Sequence, residues 1–143
     1  MTTKSKLQAR LADTSKSGVF RAPTDQAVRD AMTGADFDLV PIQLGKGKDA
    51  ILASVASALG FPEWFGGNWD ALEDSLTDLS WREDKPRVLL FFDASAGDDL
   101  GILIDVLSSA AEYWKERERA FFAVFVDPRG KLVLPPLYRE SAG

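Results

Sequence analysis

Between Phe61 and Trp81 the chain reads FPEWFGGNWDALEDSLTDLSW, a run that holds Glu63, Asp70, Glu73, Asp74 and Asp78 and neither Lys nor Arg. Phe61, Trp64, Phe65, Trp69 and Trp81 are interleaved with those acids. Carboxylates gathered in this way admit three readings. They can be a solvated face over an aromatic core. They can hold a hard cation such as Mg²⁺ or Ca²⁺ together with Asn68, although the spacing matches no dedicated cation loop. Or they can meet the Arg and Lys of another protein while neighbouring aromatics fill its pockets.

The element that must position these groups is a short helix starting at Asn68. Gly66-Gly67 turns the chain, Asn68 can cap, and Trp69, Leu72, Leu76 and Leu79 follow one helical stripe. Asp70, Asp74 and Asp78 then stack at i, i+4 and i+8 on another face. Each such like-charge pair costs about 0.2–0.5 kcal/mol, and no nearby cation in the sequence relieves it. A local rule broken without compensation is where function is expected. Trp69 lies on the inward stripe and belongs to the core. Trp64, beside the glycine pair, is expected at the surface, and Trp81 fits either place.

The whole chain narrows the options further. Its 143 residues, 45% of them apolar, suffice for one domain with a proper core. A net charge of −5 disfavours direct contact with nucleic acid and favours a basic protein partner. There is no Cys and no His, which removes disulfides, thiolate nucleophiles, the common zinc sites and imidazole acid–base chemistry. The expectation is a non-enzyme without a cofactor. GKGK at 45–48 lacks the spacing of a phosphate loop and reads as a turn. No apolar run approaches the ~18 residues of a membrane span, and MTTKSKLQARLADTS lacks the apolar core of a signal peptide. A cytoplasmic protein is expected, with no membrane contact.

Taken in order, residues 1–18 suggest a short basic helix, 19–23 a short edge strand stopped by Pro23, and 24–34 a second small helix. FDLVPIQL at 37–44 alternates as a strand, and residues 49–59 form an amphipathic helix closed by Gly60. PRVLLFF at 86–92 and FFAVFV at 121–126 are apolar throughout, as in parallel strands buried on both faces. Between them a helix runs from Asp98 to about Arg119, with Trp114 on its inward stripe. Residues 127–143 read as a loop, with a short strand at 131–134 and then a loose tail. This order predicts an α/β domain with a small parallel sheet.

The segment Phe61-Pro62-Glu63-Trp64-Phe65-Gly66-Gly67-Asn68-Trp69-Asp70-Ala71-Leu72-Glu73-Asp74-Ser75-Leu76 closely resembles the signature of the barstar family, intracellular inhibitors of the ribonuclease barnase. The resemblance covers roughly residues 37–126. It implies a three-stranded parallel sheet, with residues 1–36 as an N-terminal extension and 127–143 as a C-terminal tail. It further implies an antitoxin- or immunity-type inhibitor, monomeric when free, whose loop and helix plug the cleft of a small basic ribonuclease or toxin nuclease domain. By the same resemblance Trp64 packs on the enzyme, and Gly66 and Asn68 shape the loop. Asp70 and Asp74 meet cationic catalytic groups, with Asp74 at a phosphate position as the principal anchor, and Thr77 makes a further contact. Glu73 stands where barstar has a Trp, so packing differs there. Trp81 and Glu116 correspond to a loop Trp and a late helix acid of the family. Two rivals come from other classes: a carboxylate and divalent-metal phosphoesterase, and an interaction domain with a non-nuclease partner.

Overall fold

The structure, a computed structural model, describes residues 3–63 and 65–138. Four strands make one sheet: β1 (Gly18–Ala22), β2 (Asp38–Gln43), β3 (Arg87–Phe92) and β4 (Phe121–Val126). Their order is β1-β4-β3-β2 and every pair is parallel. The α/β class and the parallel sheet follow the expectation, but the strand number is four rather than three. The extra strand is β1, which pairs with β4 from Gly18↔Phe122 to Ala22↔Val126. Its physical reason lies in β4. Phe121 to Phe125 are all buried, so the backbone N–H and C=O groups on the far edge of β4 are shut away from water and β1 pairs with them.

Because side chains alternate across a strand, the sheet carries two cores. On one face Leu89, Phe91, Phe121, Ala123 and Phe125 pack beneath three helices: α3 (Lys48–Leu59), α4 (Trp69–Leu76) and α5 (Asp98–Glu116). Phe91 and Phe125 stack there with ring centroids 4.7 Å apart. On the other face Val88, Leu90, Phe122 and Val124 are covered by α1 (Thr3–Ala12) and α2 (Gln26–Met32) through Leu7, Leu11, Val28, Ala31 and Met32. Residues ahead of β2 thus supply one of the two layers that cover the sheet.

Residues 127–138 form no strand at 131–134. They fold back along β1, where Arg21 N–H donates to the Pro135 carbonyl at 2.9 Å and Leu137 N–H to the Arg21 carbonyl at 2.8 Å. Leu137 is fully buried as a result. The opposite edge, β2, is closed differently. Asp38 and Leu44 turn their N–H groups toward β3, at 2.8 Å from Pro86 O and 3.1 Å from Phe92 O, so the alternate positions face outward. Pro41 occupies the middle one and has no N–H to offer a further strand.

Candidate partner-binding site

The site is built from the break between two helices. Gly60, with φ 66°, takes the left-handed conformation that ends α3, and Phe61 N–H returns to the Ala56 carbonyl at 2.9 Å. Phe61 then packs edge-on against both Phe65 and Trp81, at 5.0 and 5.7 Å between ring centroids. Gly67, with φ 69°, makes the next turn. Asn68 is extended (φ −135°, ψ 172°), and its Oδ1 accepts from Ala71 N–H at 2.7 Å, the expected N-cap.

From that cap α4 presents the aspartates. Leu72 and Leu76 are fully buried, and Trp69 is half-buried against the same core, as its stripe predicts. Asp70 and Asp74 are exposed one turn apart on the solvent side. Glu73 and Thr77 are half-buried, and Thr77 Oγ1 donates back to the Glu73 carbonyl at 2.9 Å. The expected stack of three aspartates is shorter than its spacing suggested. The helix ends at Leu76, and the chain then turns through Leu79, whose φ is 51°. Asp78 is exposed but lies past the helix rather than on its third turn. Leu79 is a buried non-glycine residue in left-handed conformation, a strain that core packing must offset.

No cation of the described residues neutralises this face. The ion pairs among the described residues join Asp25 with Arg29, Asp38 with Arg82 and Arg87, Asp36 and Glu83 with Lys85, Asp84 with Arg119, and Glu112 with Lys115. None involves Asp70, Glu73, Asp74 or Asp78. Among the described residues no three carboxylates gather as a metal site. A cavity of about 230 Å³ lies between Gly45–Gly47 and Ser95–Asp99, past the carboxyl ends of β2 and β3. Open α/β sheets commonly bind ligands there, but no residue of α4 lines it.

The remaining expected contacts fall in different places. Trp64 lies outside the described residues. Gly66 is exposed in the loop. Trp81 is half-buried, and its Nε1–H donates to the Leu59 carbonyl at 3.0 Å, so its polar edge braces the end of α3. Glu116 is exposed in the last turn of α5, two residues beyond Trp114, which contacts α4.

Two supports of the site were not legible in sequence. Trp114 Nε1–H donates to the Leu76 carbonyl at 2.8 Å, tying the end of α4 to α5. The 77–86 connection is pinned by Arg82, which grips Asp38 through Nη2 at 2.8 Å and Nε at 2.9 Å and reaches the Leu59 carbonyl through Nη1 at 3.2 Å. Burial pushes the Asp38 carboxyl up, but hydrogen bonds from Arg82 and Arg87 outweigh it and hold the group below its ordinary range. Donating to the Asp38 carboxylate in turn raises Arg82.

Comparison with known proteins adds one finding. A family model described as Barstar (barnase inhibitor) matches residues 40–126. The match runs from β2 to the end of β4 and contains the whole of the α3–α4 loop and α4. No curated protein sequence matches the chain. Among the described residues no helix is long and apolar enough to cross a membrane.

Proposed function

The chain belongs to the barstar family, whose description is that of a barnase inhibitor, and from that premise we propose that it blocks a small basic ribonuclease or toxin nuclease domain. In this reading α4 enters the substrate cleft. Asp74 and Asp70 stand where RNA phosphates bind, and the loop from Trp64 to Asn68 closes over the rim. The inhibitor is a cytoplasmic antitoxin or immunity protein and turns over no substrate.

The observation that carries the reading is the exposed pair Asp70 and Asp74, with no ion pair among the described residues, on a helix anchored at both ends. A rigid helix has little ordering left to do on binding, which is how preorganised surfaces gain affinity. Uncompensated negative charge attracts a basic enzyme from a distance and finds its partners in the cleft. The test is inhibition of RNA cleavage by barnase, titrated with the purified protein at low and at physiological salt. Stoichiometric inhibition supports the proposal. Undiminished cleavage with excess protein at low salt counts against barnase-type targets.

A further inference from the structure

α4 is eight residues long, below the about 12–15 residues at which a helix persists alone in water. Its composition makes matters worse. Asp70 and Asp74 repel one another at i, i+4, and Asp74 sits in the last turn, where the aligned peptide dipoles already place negative charge. Leu72 and Leu76 hold the helix down, but apolar burial has no direction and does not fix where the opposite face points.

Thr77 Oγ1 closes this end locally on the Glu73 carbonyl, and the directional contact from another element is the Trp114 indole. Leu76 is the last helical residue, so its carbonyl has no acceptor role left within the helix. Trp114 Nε1–H fills it at 2.8 Å. The donor is itself well seated, since Trp114 packs against the core and stands edge-on to Tyr113 with centroids 5.1 Å apart. α4 is thereby held by Asn68 at one end and by a side chain of another helix at the other.

We propose that Trp114 is a positioning residue of the binding face. Its N–H fixes the Leu76 carbonyl, sets the direction in which Asp70 and Asp74 project, and relieves the negative helix end beside Asp74. It acts through α4 and makes no contact with the partner. The proposal rests on the reading of α4 as the binding element.

Trp114→Phe tests it, because the ring stays and only the donor is lost. In the free protein, amide hydrogen exchange of residues 73–77 is expected to accelerate by about threefold to tenfold, the scale of one hydrogen bond, with the sheet amides unchanged. With barnase as probe, the dissociation rate is expected to rise by a similar factor. The association rate and its salt dependence should stay as in the wild type, because no charge has moved. Unchanged exchange in α4 overturns the proposal, and so does faster exchange with an unaltered dissociation rate. If the wild-type protein fails to bind barnase, the reading of a barnase-type target has failed, and the exchange measurement still decides whether Trp114 holds α4. If the variant does not fold, exchange in the wild type decides. The amides of 73–77 must then open together with those of 110–116, and independent opening overturns the proposal.

Discussion

Asp38 and Arg87 are register partners at the first positions of β2 and β3, and Arg87 Nε donates to Asp38 Oδ2 at 2.8 Å. The Arg87 side chain is 4% exposed and that of Asp38 16%. Arg82 grips the same carboxylate from the connection that follows α4. One carboxylate therefore joins the start of the sheet to the segment that returns from the candidate site.

A charge pair this well covered is costly to break singly, because the survivor is left buried. Asp38→Ala is expected to lower unfolding free energy on the order of 3 kcal/mol, measured by urea denaturation at neutral pH. The pH dependence has a definite sign. Asp38 is held below its usual value of 3.8 in the folded protein. Its contribution is thus complete above the unfolded value and is lost as pH falls through the folded one. Wild-type stability should fall steeply below about pH 4, and Asp38→Asn should flatten that acid limb.

This network also shows where reading the sequence stops. The helix α4, its Asn68 cap and the burial of Leu72 and Leu76 were legible because each depends on residues within a few positions. The parallel pairing of β3 and β4 was legible from apolar runs that only a covered sheet accommodates, and β2 from its alternation. Asp38, Arg82 and Trp114 were not, because their partners lie 44, 44 and 38 residues away and nothing local marks them. β1 was legible as a short edge strand, which is its place in the sheet, but its pairing with β4 was not. Its five residues include Arg21, and only the demand of β4 for a second neighbour brings it into the sheet.

The N-cap offers a milder test of the site. Asn68 is exposed, and its Oδ1 supplies one bond, to Ala71 N–H. Asn68→Ala should cost about 1 kcal/mol, whereas Asn68→Asp, which keeps the acceptor, should cost a few tenths at most. Thermal melts of the three proteins at pH 7 distinguish the cap from a loss of loop shape. Equal losses in both variants would show that the amide nitrogen matters more than the oxygen.

The layer formed by α1 and α2 makes a larger prediction. Leu11 is fully buried against the sheet face that carries Val88, Leu90, Phe122 and Val124. Leu11→Ala should lose about 2–5 kcal/mol, the range for a leucine whose site cannot collapse. Removing residues 1–36 takes α1 and α2 off that apolar face, although it leaves the family-matched span 40–126 intact. The truncated protein is expected to aggregate or to lose cooperative unfolding. A soluble truncated form with an unchanged melt would show that residues 37–138 fold independently.

The last two aspartates of the acidic run, Asp74 and Asp78, should behave differently. Asp74 is on α4, whereas Asp78 falls beyond its end at Leu76, after the turn has begun. If α4 is the inserted element, a carboxylate fixed on it is desolvated in the cleft and one beyond it stays near the rim. Rim charges alter encounter rates and little else, while a buried anchor controls dissociation. Asp74→Ala should therefore weaken barnase binding by at least about 30-fold, the scale of a hot-spot residue. Asp78→Ala should change it by no more than about threefold, mostly in the association rate, and that change should vanish at high salt. Both variants keep the buried stripe and the cap, so their melts should match the wild type within a few degrees. Equal losses of affinity from the two substitutions would place the binding face past the helix, on the 77–86 connection rather than on α4.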